Sequence, residues 1–357
     1  MMESKKIMFV CQSLGNGGAE RVVSILSDEL VSNGYGIYVL ALTGNTKSYD
    51  IDKNVNVISP VKRIRAGVLG KIQRILEIRR QIINNHIDTV IAFSHYNAMF
   101  TVLAAVGTGV KVIGSERNDP AQIKNRRLTN WLREVLYKKL DALVCQTEDA
   151  MHYFPDSIQK KSTIIMNPIS GSLPEPYWGE REHKVVTFCR LEKQKNLPLL
   201  IDAFAKFHAE YSDYKLEIYG EGSEKDKLIE LISQRKLNDS AEVLPFSKEI
   251  HLVILKANMF VLPSNYEGLS NSMIESLAIG LPTIVTDCPC GGARMVIQDG
   301  INGFIVPVND LQNLVNRMVY VAENPQKMVD IQRNAINIRN VLSKEKICQE
   351  WLRVIDP

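Results

Sequence analysis

Two glutamates eight positions apart lie where an apolar run gives way to a helical pattern. Glu267 and Glu275 bracket seven uncharged residues in EGLSNSMIE, directly after the run ANMFVLPSNY. Side chains on one helix face meet at a spacing of three or four residues, so this wider spacing across a loop and a helix start makes no local pair. The two carboxylates are therefore predicted to serve something outside the helix.

The start of this helix can bind phosphate. Ser270 and Asn271 can cap a helix that runs to Gly280, and the amides from Leu269 to Ser272 lie at its positive end, where phosphate oxygens are stabilised. Two carboxylates beside a diphosphate would repel it unless they point at neutral hydroxyl donors. A nucleotide sugar carries hydroxyls on both sides of its diphosphate, so the pattern predicts one glutamate for the ribose and one for the sugar.

Two cations follow an earlier apolar run. The stretch FCRLEKQKNLPLLIDAF places Arg190 and Lys195 between a strand pattern and a helix pattern. Two cations in such a turn can hold adjacent phosphate oxygens and stabilise a diphosphate as it leaves. A basic surface turn without a ligand is the alternative.

A glycine-rich turn near the N-terminus is a third candidate. The stretch SLGNGGAERVV places Gly17 and Gly18 between a strand and a helix beginning near Ala19, where small residues let backbone amides approach a phosphate. The end of the next strand, ALTGN, lacks the acidic residue that holds a ribose in dinucleotide-binding folds, and the turn is not a P-loop. A tight turn without a ligand is the alternative here.

The elements that must position these residues alternate along the chain. Short apolar runs rich in Val and Ile alternate with amphipathic segments, which predicts a parallel, doubly wound α/β sheet. The alternation restarts after residues 166–182, which are rich in Pro, Gly and Ser, so we expect two such domains with a ligand cleft between them. The predicted strands are 6–12, 36–42, 88–94, 111–116, 141–147, 184–191, 215–220, 241–246, 259–264, 282–287 and 303–308, and the predicted helices are 19–34, 70–86, 128–140, 196–211, 225–237 and 271–280.

The composition is that of an ordinary globular protein of two domains. The chain has 357 residues, of which 45% are hydrophobic and 23% are charged. Its six cysteines are not spaced as metal ligands, so no metal is predicted. The N-terminus lacks a signal-peptide pattern, and no run reaches the ~20 apolar residues of a membrane span. These features predict a cytoplasmic protein.

The positive charge is concentrated in the first half of the chain. Residues 1–170 carry 22 Lys and Arg against 15 Asp and Glu, a net charge of +7, whereas residues 171–357 carry 21 against 25, a net charge of −4. Basic residues mix with apolar ones in segments 61–80 and 123–140, a composition that suits an anionic membrane surface or a phosphate-bearing partner. A solvated helix face is the alternative, and no nucleic-acid recognition motif accompanies the charge.

Together these motifs resemble the retaining family-4 glycosyltransferases of the two-domain GT-B fold. The resemblance rests on the two glutamates of EGLSNSMIE, on RLEKQKN (190–196), on IYGEGSEKDKL (218–228) and on GNGGAERV (15–22), which follow the family's order across nearly the full chain. It implies two Rossmann-like domains with a cleft between them. The domains would be residues 1–168 for the acceptor, residues 169–340 for the nucleotide sugar, and residues 341–357 as a helix that crosses back to the first domain.

The resemblance also implies roles for the donor-binding residues. Arg190 and Lys195 would contact the diphosphate, Glu275 the ribose and Glu267 the transferred sugar. Family members typically work without a bound metal. The remaining donor contacts implied are main-chain groups of Leu269, Ser270 and Asn271 at the phosphate, Pro245 and Phe246 at the base, and Gly17 with Gly18 closing over the phosphate from the first domain.

The first domain departs from the family pattern near the transferred sugar. Many relatives carry a histidine after a strand of this domain, whereas the corresponding GSERND offers Glu116, Arg117 and Asn118. His95, after an earlier strand, is a candidate substitute, with an ordinary loop histidine as the alternative. We assign these four residues to the acceptor or sugar side.

The resemblance implies transfer of a hexose or N-acetylhexosamine, with retention, from a UDP-sugar to a glycan hydroxyl. The basic segments favour an acceptor linked to a polyprenyl diphosphate in polysaccharide biosynthesis, and a peripheral location on the inner face of the cell membrane. A UDP-sugar 2-epimerase of the same fold and a non-catalytic partner subunit are the alternatives. The joint presence of Arg190, Lys195, Glu267 and Glu275 argues against the partner subunit.

Overall fold

The protein divides into two compact units. The structure, a computed structural model, describes residues 4–15, 17–43, 51–60, 64, 67–122, 127–170 and 172–357. Unit 1 comprises Met1–Pro168 and Lys344–Pro357, and unit 2 comprises Ile169–Ser343. Parts of the two basic segments, residues 61–63, 65–66 and 123–126, lie outside the described residues.

Unit 1 is built on a parallel sheet. Within the described residues its strands are β1 (Lys6–Cys11), β2 (Gly36–Ala41), β3 (Asn56–Ile58), β4 (Thr89–Phe93), β5 (Lys111–Ser115), β6 (Ala142–Cys145) and β7 (Ser162–Ile164). They pair in the order β3-β2-β1-β4-β5-β6-β7, so the direction of winding reverses between β1 and β4. Ligands of open α/β sheets bind beyond the carboxyl ends of the strands at such a reversal.

Helices cover both faces of this sheet, as a doubly wound fold requires. The helices described in unit 1 are α1 (Gly18–Ser32), α2 (Gly67–Asn85), α3 (His95–Ala104), α4 (Arg127–Tyr137), α5 (Glu148–His152), α6 (Asp156–Gln159) and, from the end of the chain, α15 (Lys344–Ile355). Helix α15 packs against α1, and Lys111 donates to the main-chain oxygens of Val354 and Ile355 at its end.

Unit 2 repeats the architecture with a second parallel sheet. Its strands are β8 (Glu182–Phe188), β9 (Lys215–Tyr219), β10 (Ala241–Leu244), β11 (Ala257–Leu262), β12 (Thr283–Thr286) and β13 (Phe304–Val306) within the described residues. They pair in the order β10-β9-β8-β11-β12-β13, so the reversal falls between β8 and β11. The helices are α7 (Leu197–His208), α8 (Lys225–Gln234), α9 (Ile250–Val253), α10 (Asn271–Ala278), α11 (Gly292–Val296), α12 (Leu311–Glu323), α13 (Pro325–Ala335) and α14 (Ile338–Val341).

Helix α7 shows how the sequence positions the turn before it. Its apolar side chains recur at helical spacing and are fully buried against the sheet, and a proline occupies its first turn, where a missing amide hydrogen costs nothing. The chain enters the helix through Asn196, which adopts a left-handed conformation with φ 48°. The burial of α7 therefore fixes the turn that carries Lys195. The buried positions are Leu197, Leu200, Ile201, Ala203, Phe204 and Phe207.

The described helices include none that is both long and apolar enough to cross a lipid bilayer. All eleven strands expected from the sequence are present, with bounds shifted by a few residues. Strands β3 and β7 were not expected, nor were helices α3, α5, α6, α9 and α11 to α14, and α10 ends at Ala278 rather than at Gly280.

Candidate functional site

The carboxylate of Glu267 is held by three side chains at the reversal point of unit 2. Lys195 donates to Oε1 of Glu267, the Ser264 hydroxyl donates to the same oxygen at 2.7 Å, and Gln194 Nε2 lies 3.2 Å from Oε2. Lys195 and Gln194 follow β8, whereas Ser264 and Glu267 follow β11. The adjacent strands thus bring together residues 72 positions apart in the sequence.

This pairing gives the site a defined charge arrangement. The side chains of Lys195 and Glu267 are only 10% and 14% exposed, so their ion pair is screened little by solvent. The two residues predicted separately for the diphosphate and for the transferred sugar are in direct contact. Phosphate oxygens that approach Lys195 would share its protons with Glu267, and hydroxyl donors would find Glu267 already oriented.

Arg190 is the second cation of the turn and is exposed. Its main-chain oxygen accepts a hydrogen bond from the amide of Glu192, but its guanidinium makes no hydrogen bond or ion pair with the described residues and is open to an anion. Two glycines set its position, because a Cβ on Gly220 would lie 1.9 Å from the main-chain oxygen of Cys189 and one on Gly222 would lie 2.3 Å from that of Leu191. Only glycines at these positions let the loop after β9 pack on the backbone on either side of Arg190.

The loop that carries Glu267 is supported by the end of the neighbouring strand β12. The Thr286 hydroxyl donates to the main-chain oxygen of Ser264 at 2.6 Å, and the thiol of Cys288 donates to the same oxygen at 3.3 Å. A Cβ on Gly292 would lie 1.9 Å from the main-chain oxygen of Gly268, so α11 approaches the loop as closely as its backbone allows. A small pocket behind the loop is lined by Leu262, Ser264, Glu267, Gly268, Ser270, Met273, Val285, Thr286, Cys288 and Ala293.

Two thiols next to the ion pair are not nucleophiles at neutral pH. Burial raises the pKa of Cys189 to about 11 and that of Cys288 to about 12, and the carboxylate of Glu267 adds to both shifts. The reactive form of cysteine is the thiolate, which is scarce when the pKa is this high. Covalent catalysis through these cysteines is therefore not a role that the site supports.

Glu275 is buried inside α10 and has its own partner. It is 2% exposed, and its Oε2 lies 2.9 Å from Nε2 of His251, which is itself 8% exposed. Phe188, at the end of β8, packs edge-on against the His251 ring with centroids 5.6 Å apart. The second carboxylate is thus oriented by a histidine from α9, which the sequence did not single out.

The side chain of the N-cap residue does not cap the start of α10. Ser270 occupies the N-cap position, as predicted, but makes no side-chain hydrogen bond to the helix amides. Its hydroxyl instead lies 3.0 Å from that of Ser272. The predicted contacts of Leu269, Ser270 and Asn271 with phosphate stay predictions, and this end of the helix lies in the same loop as Glu267.

Pro245 and Phe246 directly follow β10, at the edge of the unit 2 sheet. Both are exposed, Phe246 with 36% of its surface accessible. They lie at the same carboxyl edge of the sheet as Arg190 and Glu267, because all strands of the sheet are parallel. Their predicted contact with the base stays a prediction.

In unit 1 the glycine turn follows β1, one of the two strands at the reversal point. Gly17 is the N-cap of α1, and Gly18 is its first residue. A Cβ on Gly17 would lie 1.9 Å from Oε2 of Glu20, whose Oε1 accepts a hydrogen bond from the Ser13 hydroxyl. The space at Gly17 is therefore needed by Glu20 within the unit. A contact of this turn with the donor stays a prediction.

His95 follows β4, the other strand at the reversal point, and begins α3. Its ring packs on Tyr96 with centroids 4.2 Å apart. Strands β4 and β5 are paired so that Phe93 lies opposite Ser115. His95 and the predicted residues after β5 therefore share one edge of the unit 1 sheet.

Glu116 points into the interior of unit 1. It is 4% exposed and accepts a hydrogen bond of 2.5 Å from the hydroxyl of Tyr137. Burial raises the pKa of Glu116, against the opposing effects of Arg133 and of that hydrogen bond. Arg133 is fully buried and lies over the rings of Tyr153 and Phe154. A contact of Glu116 with the sugar stays a prediction, whereas its structural partners are observed.

Arg117 also turns inward, toward the last helix. Its guanidinium lies 4.6 Å from the ring centre of Phe93 and 5.5 Å from that of Trp351, and it donates to Asn167 Oδ1 at 3.0 Å. Burial lowers the pKa of Arg117 to about 9, so it stays a cation at neutral pH. Asn118 is exposed and accepts a hydrogen bond from the amide of Asp119. Of the three residues after β5, Glu116 is buried, Arg117 is partly buried and Asn118 is exposed.

We expect the E116Q variant to show a smaller loss of stability with rising pH than the wild type. The pKa of Glu116 is higher in the folded than in the unfolded state. The free energy of unfolding that protonated Glu116 contributes is therefore fully present below the unfolded pKa of about 4.3, and it is lost as the pH rises through the folded pKa. Urea unfolding at about pH 5 and about pH 8 measures the effect. Equal pH dependence in both proteins would contradict it, and a large fall in turnover would instead support contact with the sugar.

Clusters of three or more His, Cys, Asp or Glu that could hold a metal ion do not occur in the described part of the chain. The residues collected at the carboxyl edge of unit 2 are instead two cations, two carboxylates and a helix start. Such a set can bind a charged diphosphate between hydroxyl-bearing groups.

Two family descriptions match the chain, one for each unit. Residues 16–171 match Glycosyltransferase Family 4, and residues 175–338 match Glycosyl transferases group 1. Two parallel-sheet units with these matches define a glycosyltransferase of the GT-B fold. The chain belongs to the glycosyltransferases that join a family 4 domain to a group 1 domain. This confirms the predicted family and the GT-B fold class, whereas retention stays a prediction.

Several known proteins are similar over nearly the full length. An uncharacterised glycosyltransferase of Haemophilus influenzae is 24% identical, over 98% of this chain and 100% of its own. The N-acetylgalactosamine-N,N'-diacetylbacillosaminyl-diphospho-undecaprenol 4-alpha-N-acetylgalactosaminyltransferase of Campylobacter jejuni is 26% identical, over 98% of this chain and 99% of its own. The crystal structure of S. aureus TarM with UDP superposes with a TM-score of 0.82 at 13% identity, over 99% of this chain and 100% of its own.

Three residues of the site were missed by the sequence analysis. Gln194 and Ser264 hold Glu267, and His251 holds Glu275. Gln194 directly precedes Lys195 and Ser264 is the last residue of a predicted strand, so both positions could have been recognised from the sequence. The sequence gives no indication of the role of His251, because its contact with Glu275 depends on how α9 packs.

Proposed function

We propose that the protein transfers a hexose or N-acetylhexosamine from a UDP-sugar to a hydroxyl of a glycan, with retention at the anomeric carbon. The observation that carries the proposal is the paired Lys195 and Glu267 at the reversal point of unit 2, with the exposed Arg190 in the same turn. A cation pair suits a diphosphate, and a carboxylate fixed by three donors suits the hydroxyls of a sugar. The UDP in the TarM crystal structure supports the choice of nucleotide.

In this proposal the site stabilises a leaving diphosphate. As the bond between the anomeric carbon and the phosphate oxygen lengthens, negative charge grows on the diphosphate, and Arg190, Lys195 and the amides at the start of α10 would stabilise it. Glu267 would hold hydroxyls of the transferred sugar, and Glu275 those of the ribose. The departing phosphate oxygen would take the proton of the acceptor hydroxyl, so the step needs no separate base, and Arg190 and Lys195 would supply the positive charge that a metal ion supplies in other enzymes.

We further propose that the acceptor is linked to a polyprenyl diphosphate. The name of the Campylobacter jejuni relative describes an acceptor on diphospho-undecaprenol, and the net charge of +7 on residues 1–170 favours an anionic partner. Such an acceptor resides in a lipid bilayer. The protein would then work at the inner face of the cell membrane, with segments 61–80 and 123–140 facing anionic head groups.

UDP and UDP-sugars should raise the melting temperature of the protein, and a chelator such as EDTA should leave the shift unchanged. A ligand that binds only the native state at about 100 times its Kd adds about 2.7 kcal/mol to the free energy of unfolding. A thermal-shift series with UDP-, GDP- and ADP-sugars measures the effect, and H251A, which removes the partner of Glu275, should weaken it. Stabilisation by another nucleotide alone, or an epimer formed from a UDP-sugar without acceptor, would contradict the proposal.

A further inference from the structure

Helix α4 exposes an apolar stripe on the side turned away from the core. Leu128, Trp131, Leu132 and Val135 are 75%, 60%, 38% and 38% exposed. Their spacing of three, four and seven residues places them on one face of a helix. The opposite face is buried and includes Arg133, Leu136 and Tyr137.

Helix α2 carries a second stripe of the same kind. Leu69, Ile72, Leu76 and Ile83 are 60%, 47%, 59% and 51% exposed and fall within one narrow arc of the helix. The residues that face the core, among them Ile78, are on the other side. A helix with apolar residues on two opposite sides needs an apolar partner on each, and the sheet supplies only one of them.

The two stripes belong to neighbouring elements. Helix α2 packs against α3, and α3 packs against α4, so the three lie side by side on unit 1. At the end of α3, Leu103 and Val106 are also exposed, at 42% and 67%. We call the exposed residues of α2 and α4 the outer apolar face, which comprises Leu69, Ile72, Leu76, Ile83, Leu128, Trp131, Leu132 and Val135.

Cations border this face. Exposed basic residues occur in both helices and directly after α4. The one acidic residue of α2, Glu77, is paired with Arg80, and that of α4, Glu134, is half-buried. A second copy of the same chain would bring like charges together at this border, whereas an anionic lipid surface would meet them with opposite charge. The exposed basic residues are Lys71, Arg80, Arg127, Lys138 and Lys139.

We propose that the outer apolar face inserts into the interface of an anionic lipid bilayer. Soluble monomers rarely expose a large contiguous apolar surface without a partner, and Leu and Trp beside Lys and Arg are typical of helices that lie in the membrane interface. The choice of a lipid partner rests in part on the proposed lipid-linked acceptor. Insertion differs from binding by charge alone, because the inserted side chains keep the protein on the membrane when salt screens the cations.

Flotation of the full-length protein with vesicles tests the proposal without any substrate. Wild type should bind vesicles of phosphatidylcholine with phosphatidylglycerol, more weakly those of phosphatidylcholine alone, and should stay partly bound at high salt. The double variants L128S/W131S and L69S/L76S should each weaken binding about tenfold or more, since each removes two inserted side chains. W178S is the matched control, because Trp178 is 52% exposed but lies in unit 2.

The variants should keep the circular dichroism spectrum and melting temperature of the wild type, since the replaced side chains are exposed. Binding equal to wild type in both double variants would overturn the proposal. A wild-type dimer in solution that these variants convert to monomers would also overturn the proposal, because a second copy of the chain would then cover the outer apolar face.

Turnover with a short, water-soluble acceptor separates this inference from the proposed function. It should be unchanged in the double variants, while turnover with a long-chain acceptor in vesicles should fall. Vesicle binding by a wild type that never consumes a UDP-sugar would leave the outer apolar face as a membrane surface and refute the proposed function. Transfer to both acceptors by a wild type that binds no vesicles would refute insertion of the outer apolar face and leave the proposed function in place.

Discussion

Replacing Lys195 by alanine is expected to lower kcat by on the order of 10²-fold, as the loss of one donor to a developing anion does in other enzymes. Lys195 is buried beside Glu267, and a water molecule that took its place would carry no positive charge. R190A should cause a loss of similar size, because Arg190 is the other cation of the turn. Steady-state kinetics with saturating donor measure both, since saturation removes any effect on binding alone.

Lys193 supplies the control for these variants. It lies in the same short turn, Lys193–Lys195, and is exposed. K193A removes the same charge from the same turn, and its kcat should stay within about twofold of wild type, as screened surface charges contribute little. Wild-type turnover in both K195A and R190A, or an equal loss in K193A, would refute the roles assigned to the two cations.

The ion pair adds a second expectation for the same residues. Because Lys195 and Glu267 are in contact, their single and double replacements should not be additive. In E267Q, Lys195 loses its counter-charge and its orientation, so this variant should impair both donor binding and turnover. The double variant K195M/E267Q should be little worse than K195M alone.

Most of the fold was predictable because buried strands are recognisable in the sequence as short, continuous apolar runs. After their first residue, runs such as KIMFVC and TVIAF are apolar at every position, since parallel strands are covered on both faces. Helix α3 was missed for the same reason. It packs against α2, α4, β4 and β5, so apolar residues occur on several of its sides and its helical period is weak.

The candidate site was predictable in its position but not in its contacts. Residues after β8 and β11 meet because the winding reverses between these strands, and the pattern of apolar runs indicates such turns. That Lys195 would pair with Glu267 could not be predicted, because it depends on the direction of two side chains from separate loops. Glu116 and Arg117 illustrate the same limit, since they leave the end of β5 but turn into the interior.

The largest stability effect is expected at Trp351 in α15. Its indole is fully buried and stacks on Phe93 of β4 at 6.1 Å, with the guanidinium of Arg117 lying over both rings. W351A should lower the free energy of unfolding by about 3–5 kcal/mol, the usual cost of removing a large buried aromatic side chain. Urea unfolding followed by far-UV circular dichroism measures the change, which should appear in unit 1, where α15 packs on α1.

Two further variants separate lost packing from other causes. The indole nitrogen of Trp351 makes no hydrogen bond with the described residues, so W351F should retain most of the stability that W351A loses. W178A removes an exposed indole and should change the free energy of unfolding by less than about 0.5 kcal/mol. If W351A were as stable as W178A, α15 would not be part of the core of unit 1. If W351F were as damaging as W351A, the shape of the indole and not its burial would hold the last helix in place.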